Sequence, residues 1–199
     1  RYIRREGFLM TAFVLGNGVS RKGIDPDMLK QHGRVFGCNA LYRDHNPHVL
    51  VSTDPNISRE IQESGWPKRD GCTHWTRRPF ADSGSRQLHP EYKGMSSGPN
   101  ALHLAALEEH AKIYMLGMDL GSVDNVFNNV YAGTEHYKRR GDSATFGGNW
   151  FNQIVRIMNE NPRIQFYRVV DNHSQVFNKL TEIDNLKIIS KSEFQSLYK

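Results

Sequence analysis

The sequence predicts an α/β fold in which short buried strands alternate with helices. Short apolar runs recur along the chain, several of them followed directly by Gly, Asn or Asp. Segments with helical spacing of apolar residues separate them, which is typical of a parallel sheet with helices on both faces. The 199 residues suffice for one such domain. We therefore predict a single-domain, Rossmann-like sandwich with a mostly parallel sheet.

The composition is that of an ordinary globular protein, with 38% apolar and 24% charged residues. A net charge of +5 and a pI of about 9.2 suit an anionic ligand. The basic residues form only short clusters, so we predict no nucleic-acid partner. The two cysteines give neither a disulfide framework nor paired metal-ligand spacing, and no apolar run is long enough for a membrane span. We expect a cytoplasmic protein without a tightly bound cofactor or metal; a homo-oligomer is one option.

The first predicted strand is Thr11–Leu15, and residues 1–10 before it are interpreted as a leader or a disordered arm, with the domain spanning 11–199. The strand ends at the turn Gly16-Asn17-Gly18, and Ser20 follows. Glycine permits backbone angles and close approaches that a Cβ forbids, and open α/β sheets bind ligands at the carboxyl ends of their strands. Without a third glycine the motif is weak, and a turn that binds no ligand fits equally well.

The next elements follow the same pattern. Asp25 is a suitable N-cap for a short helix that ends near Gly33. Strands are predicted at Arg34–Cys38 and His48–Thr53, and a helix at Ile57–Glu63. Three strand ends therefore carry a small polar residue: Asn17, Asn39 and Asp54. In a parallel sheet these ends share one rim, where such side chains can bind a nucleobase or ribose, although each could equally cap a turn.

Residues 65–95 contain scattered Trp, Pro and Gly, and only Gly71–Thr76 resembles a strand. We predict an irregular insertion here. Its arginines Arg77, Arg78 and Arg86 could hold an anionic group, but a solvated surface is the more common role for any one such residue.

The motif Ser96-Ser97-Gly98 precedes a helix rich in Ala and Leu at 101–110. A helix N-terminus beside hydroxyl groups is suited to anion binding. The strand Lys112–Leu116 comes next, and a right-handed crossover brings Asp119 to the same rim. The predicted elements that follow the long loop are a helix (146–159), a strand (163–170), the polar group 171–174, a strand (186–189) and a helix from Ser192.

The segment 121–145 is long and polar, and we predict that it is an active-site loop. His136 is the candidate general base, since neutral imidazole accepts protons near physiological pH. A solvated loop histidine is the alternative interpretation.

Four motifs together resemble one family, the bacterial lipooligosaccharide sialyltransferases and related phage and surface-polysaccharide glycosyltransferases. Residues 16–20 resemble its Gly-Asn-Gly-Pro-Ser turn, with Val19 in place of proline. Residues 36–42 resemble Phe-Arg-Cys-Asn-x-Phe-Tyr, 96–98 resemble Thr-Ser-Gly, and 113–119 resemble Ile-Tyr-Leu-x-Gly-Ile-Asp. The resemblance covers roughly residues 11–170, and it is poor over 60–92.

The resemblance implies a metal-independent transfer of sialic acid or a similar sugar from a CMP-sugar to a glycan acceptor, with His136 as the loop base. The family's tyrosine pair, which binds the donor phosphate, follows its Ile-Asp segment closely. Here Leu120-Gly121-Ser122 stands instead, so Tyr131 and Tyr137 are the phosphate-contact candidates. The predicted nucleotide-binding residues are Gly16, Asn17, Gly18, Ser20, Asn39, Asp54, Ser96, Ser97, Gly98 and Asp119.

Two other functions are alternatives to sugar transfer. An ATP- and magnesium-dependent pyrophosphokinase acting on a pterin-like compound has a related Gly-x-Gly-Pro-Ser group. A degenerate, non-catalytic nucleotide- or glycan-binding module would explain the absence of the tyrosine pair.

Overall fold

The computed structural model describes residues 11–198, so the predicted leader lies outside the described residues. The strands are β1 (Thr11–Leu15), β2 (Arg34–Cys38), β3 (Val49–Ser52), β4 (Thr73–Thr76), β5 (Arg86–Gln87), β6 (Lys112–Leu116), β7 (Gln165–Val170) and β8 (Leu186–Ser190). The helices are α1 (Pro26–Leu29), α2 (Pro55–Glu63), α3 (Ser97–Leu107), α4 (Gly148–Glu160) and α5 (Lys191–Leu197). Within 11–198, no helix is both long and apolar enough to cross a membrane.

The eight strands of the described residues form one all-parallel sheet with the order β5-β4-β3-β2-β1-β6-β7-β8. This Rossmann-like α/β architecture confirms the predicted fold class. From β1 to β5 the chain builds toward one edge, then returns to β6 beside β1 and builds toward the other edge. The sheet therefore has a topological switch point between β1 and β6, where ligands bind in folds of this type.

Helices cover both faces of the sheet. On one face, α3 and α4 pack against Val14 and neighbouring side chains of the central strands. On the other face, α1, α2 and α5 pack against Phe13 and Leu15. These three β1 side chains are fully buried, as expected for a central parallel strand that is covered twice.

The segment 65–95, expected to be an irregular insertion, instead contributes β4 and β5 to one edge of the sheet. β4 lies inside the predicted strand-like stretch. β5 has only two residues, both exposed, so no apolar periodicity marks it in the sequence. Arg86 lies over the Trp75 ring at 5.6 Å, and Arg77 Nη2 donates to Met95 O at 3.1 Å.

A long connection, residues 117–147, links β6 to α4 without a helix or strand; one isolated bridge joins Val126 and Ser143. Its backbone contacts the turn after β1, since Val130 N donates to Asn17 O at 2.8 Å. The connection therefore runs over the switch point.

Candidate functional site

A pocket of about 130 Å³ opens at the switch point between β1 and β6. Its walls come from the turns after β1 and β2, the start of α3, the segment after β6 and the first turn of α4. We call it the switch-point pocket. The predicted site residues that line it are Gly16, Asn17, Gly18, Asn39, Ser96, Ser97, Gly98 and Asp119.

The close contact between the turn after β1 and the segment after β6 requires glycine at positions 16 and 18. A Cβ at Gly16 would lie 2.5 Å from Gly117 O, and one at Gly18 would lie 2.3 Å from Asp119 Oδ2. Real Cβ atoms do not approach that closely, so only glycine fits. The Gly18 N–H donates to Gly117 O at 2.9 Å, which joins the turn after β1 to the segment after β6.

Asn17 is held by the protein itself. Its Nδ2 donates to Cys38 O at 3.0 Å, and its Oδ1 accepts from Arg21 Nη2 at 3.4 Å. Burial raises the pKa of the Cys38 thiol to about 12, so this wall of the pocket carries a neutral thiol and no nucleophile at physiological pH. Cys38 is free and buried.

Asn39 differs from Asn17. Its backbone has φ 53°, in the left-handed region, and its Oδ1 is buried with no hydrogen-bond partner among the described residues. A left-handed backbone costs roughly 1–2 kcal/mol, and an unpaired buried acceptor costs about 1–3 kcal/mol. Both costs fall on one residue of the pocket wall, as is common at functional sites.

The start of α3 forms the opposite wall. Ser96 is the N-cap, but its side chain accepts no hydrogen bond from the helix. Ser97 Oγ accepts from Thr53 N and bonds Thr53 Oγ1, both at 2.9 Å. The positive end of the helix dipole therefore lies at the pocket, where it favours an anion.

Asp119 is 3% exposed and braces the third wall. Its Oδ2 accepts from Ser20 N at 3.1 Å, and its Oδ1 accepts from Ser174 Oγ at 2.9 Å. Ser20 itself does not line the pocket; it acts on the pocket through this bond.

Arg168, on β7, holds the backbone of the same wall through hydrogen bonds. It is 1% exposed, and its guanidinium donates to Met118 O at 3.2 Å, Gln175 O at 2.8 Å and Asp119 O at 3.3 Å. Burial lowers the pKa of Arg168 to about 10, while the Asp119 charge opposes that shift. Sequence reasoning missed this residue because nothing in a strand pattern marks a buried arginine.

The segment after β6 contains one strained residue. Gly117, Leu120 and Gly121 have φ values of 62°, 60° and 134°. Glycine adopts positive φ readily, but a bulky residue such as Leu120 rarely does. Leu120 lines the switch-point pocket, so strain again coincides with the pocket.

Besides Ser20, four predicted site residues lie outside the pocket lining. Asp54 caps α2, and its Oδ1 accepts from Asn56 N at 2.9 Å. Tyr131 OH accepts from Arg21 Nη2 at 3.2 Å, and Tyr137 OH accepts from Ala40 N at 3.2 Å. The fourth residue is His136.

His136 Nε2 lies 3.2 Å from Glu60 Oε2 on α2, and the imidazole does not line the switch-point pocket. Glu60 is also bound by Arg43, which donates from Nε and Nη2 to its two oxygens at 2.7 Å. The Arg43 hydrogen bonds hold the pKa of Glu60 below its usual range, so His136 faces an ionised carboxylate.

Among residues 11–198, two groups of side chains have ligand atoms close enough to share a metal ion: Asp25, Asp27 and His45, and Glu60, Glu135 and His136. In the second group Glu60 already neutralises Arg43. Both groups lie outside the lining of the switch-point pocket.

Sequence reasoning missed several lining residues, among them Asn128, Asn129 and Trp150. Asn128 Oδ1 accepts from Val19 N at 2.7 Å, which ties the long connection to the turn after β1. The Asn-rich composition of 125–129 was the available signal. Trp150 is half-buried: it packs against the core on the α3 and α4 face of the sheet and also lines the pocket edge.

No protein-family model matches this chain, and neither does a curated protein or a solved structure. The resemblance to sialyltransferases therefore rests on the four motifs themselves. Three of them supply the walls of one pocket through Asn17, Asn39 and Ser97, and the fourth supplies Asp119.

Proposed function

We propose that the switch-point pocket binds the nucleotide of a CMP-activated sugar and that the protein transfers the sugar to an acceptor hydroxyl. The position of the pocket supports nucleotide binding, because open parallel sheets bind nucleotides at the switch point. Its polar lining supports a ligand with many hydrogen-bonding groups.

The observation that carries the proposal is the buried Oδ1 of Asn39, which has no hydrogen-bond partner within residues 11–198. A ribose hydroxyl or the amino group of cytosine can donate to it, and the bond would relieve the cost of a buried, unpaired acceptor. Trp150 at the pocket edge offers an aromatic surface for base stacking.

The start of α3 fits the phosphate. Ser96 leaves the first-turn N–H groups without a side-chain cap, and a phosphate oxygen can replace it. As the sugar leaves, negative charge grows on that phosphate, and the helix dipole stabilises it. The two predicted phosphate contacts, Tyr131 and Tyr137, lie outside the pocket lining. The Tyr131 hydroxyl is hydrogen-bonded by both Arg21 and Asp44, whereas the Tyr137 hydroxyl accepts from Ala40 N and keeps its O–H to donate.

Calorimetry of the protein with CMP tests the proposal, and Asn39→Gly is the sharpest variant. Glycine keeps the left-handed backbone and removes the amide, so we expect CMP to bind roughly 5- to 30-fold more weakly, equivalent to about 1–2 kcal/mol. Asn125→Gly is the matched control, because Asn125 has φ 60° and does not line the pocket. Equal CMP affinity in both variants would contradict the proposal.

A non-catalytic binding module is the second candidate, and the position of His136 favours it. The predicted base is paired with Glu60 and lies outside the pocket lining. This candidate predicts CMP binding without release of CMP from a CMP-sugar. Binding of Mg-ATP in place of CMP would instead indicate the pyrophosphokinase.

A further inference from the structure

A second groove, of about 80 Å³, borders the switch-point pocket, and Asn128 lines both. Its lining includes Val123 and Val126, which are 55% and 38% exposed. Asp124 and His173 also line the groove. A carbohydrate has apolar C–H faces and hydroxyl groups, so a groove of mixed polarity beside a donor pocket suits a sugar acceptor.

The turn after β7 is fixed to the wall of the switch-point pocket. Ser174 Oγ donates to Asp119 Oδ1 at 2.9 Å and accepts from Asp171 N at 3.2 Å. Gln175 N donates to Asp119 O at 2.9 Å. Asn128 Nδ2 donates to the carbonyl of His173 at 3.1 Å. Asp119 and Asn128, which line the switch-point pocket, therefore set the position of His173.

His173 has the geometry of an oriented base. Asp171 Oδ1 accepts from His173 N at 2.8 Å and lies 3.2 Å from His173 Nδ1. When Nδ1 donates to this carboxylate, Nε2 carries the lone pair. The His173 side chain is 47% exposed, so a substrate can reach it.

Three charged side chains lie around the His173 imidazole and its partner Asp171. Asp171 lies on the same turn as His173, and Lys191 Nζ on α5 lies 3.9 Å from Asp171 Oδ2. Asp124 belongs to the long connection, and the Ser122 hydroxyl holds the pKa of its carboxyl below the usual value. Two carboxylates and one ammonium group therefore lie around the His173 imidazole and its partner Asp171.

We propose that His173, oriented by Asp171, takes the proton of the acceptor hydroxyl and that the groove beside it holds the acceptor. The inference rests on the proposed glycosyl transfer. The acceptor O–H proton moves to His173 Nε2 as the acceptor oxygen bonds to the anomeric carbon. The bond from that carbon to the phosphate oxygen breaks, and CMP leaves with the bonding electron pair.

The test is CMP release from CMP-N-acetylneuraminate with lactose as acceptor, measured from pH 5 to 8. We expect His173→Gln to lower kcat about 10²- to 10⁴-fold and to remove the acidic limb of the pH profile. CMP affinity by calorimetry should stay within twofold, which separates a lost base from a damaged pocket. Asp171→Asn should give a smaller loss of kcat, and His89→Gln, an exposed control outside both grooves, should give none.

A kcat for His173→Gln within threefold of the wild-type value would overturn the assignment. So would a loss confined to His136→Gln. If the wild-type protein fails to bind CMP, the proposed function itself is wrong, and the calorimetry reports that separately.

Discussion

Gly18 lies where the turn after β1 meets the segment after β6. A methyl group there would stand 2.3 Å from Asp119 Oδ2 and 2.6 Å from Gly117 O. The Asp119 carboxylate cannot easily move away, because Ser20 N and Ser174 Oγ donate hydrogen bonds to it. We expect Gly18→Ala to lower the free energy of unfolding by roughly 1–3 kcal/mol, measured by urea denaturation.

Gly94→Ala is the matched control for this substitution, because a Cβ at Gly94 meets nothing within 4 Å. Its stability should stay within about 0.5 kcal/mol of wild type. If Gly18→Ala were equally harmless, the two loops could separate, and the tight contact would not define the pocket wall.

His74 in β4 is fully buried between two hydroxyls, with Nε2 2.7 Å from Ser52 Oγ and Nδ1 2.8 Å from Ser85 Oγ. Desolvation lowers the pKa of His74 to about 4. Between pH 6.5 and 4 the unfolded chain binds a proton that the folded chain does not, so stability falls as the pH falls through this window. The loss is roughly 3 kcal/mol.

The measurement is the free energy of unfolding of His74→Gln from pH 7 to 4. The pH dependence should be shallower than in wild type, with a residual slope from His48 and His103, whose pKa values burial also lowers. His89→Gln, at an exposed site, should keep the full slope. An unchanged slope in His74→Gln would show that this histidine does not set the acid sensitivity.

A site residue could be predicted from the sequence where the ends of strands and helices determine its position. Asn17, Asn39 and Asp119 follow strands, and Ser97 starts a helix, so parallel topology alone brings them to one rim. His136 belongs to an irregular connection whose path depends on distant contacts, such as its own pairing with Glu60. Its position relative to the pocket could not be derived from local pattern.

Arg43, in the segment after β2, attaches the connection 117–147 to α2. Besides its two bonds to Glu60, Arg43 donates from Nη1 to Thr134 Oγ1 at 3.0 Å and from Nη2 to Glu135 O at 3.2 Å. We expect Arg43→Ala to increase amide hydrogen exchange at 133–137 at least tenfold. Because the pair is partly exposed, global stability should fall by less than about 2 kcal/mol.

Arg156→Ala is the matched control, since Arg156 forms an exposed double ion pair with Glu91 and Glu160. Exchange at 133–137 should not change in that variant. Protection that survives Arg43→Ala would mean that other contacts hold the connection in place.

Elements with continuous apolar runs, such as β1 and β6, could be predicted well because each strand is buried on both faces. β5 could not, because two exposed residues have no periodicity. The start of α4 was also misplaced: the helix begins at Gly148, two residues after the predicted start at Phe146, which is 78% exposed. Trp150 consequently lies in the first turn of α4 at the pocket edge.

For the whole molecule, the switch point joins the two halves of the sheet. Gly16 N, in the turn after β1, donates to Leu116 O at the end of β6 at 2.8 Å. A ligand in the switch-point pocket would touch both halves, so it should stabilise the fold as a unit. At CMP concentrations a hundredfold above Kd, linkage gives about 2.7 kcal/mol, and Tm should rise by roughly 5–10 °C.

Hydrogen exchange should show where that stabilisation originates. With saturating CMP, protection should increase most at 16–18, 38–40, 96–98 and 117–121, because these backbones line the pocket. Residues 65–87, at the far edge of the sheet, should gain only the uniform protection that reflects global stability. Asn39→Gly should reduce both effects together, while Asn125→Gly should keep them. A Tm increase with protection centred on 65–87 would place the ligand at another site and would contradict nucleotide binding at the switch point.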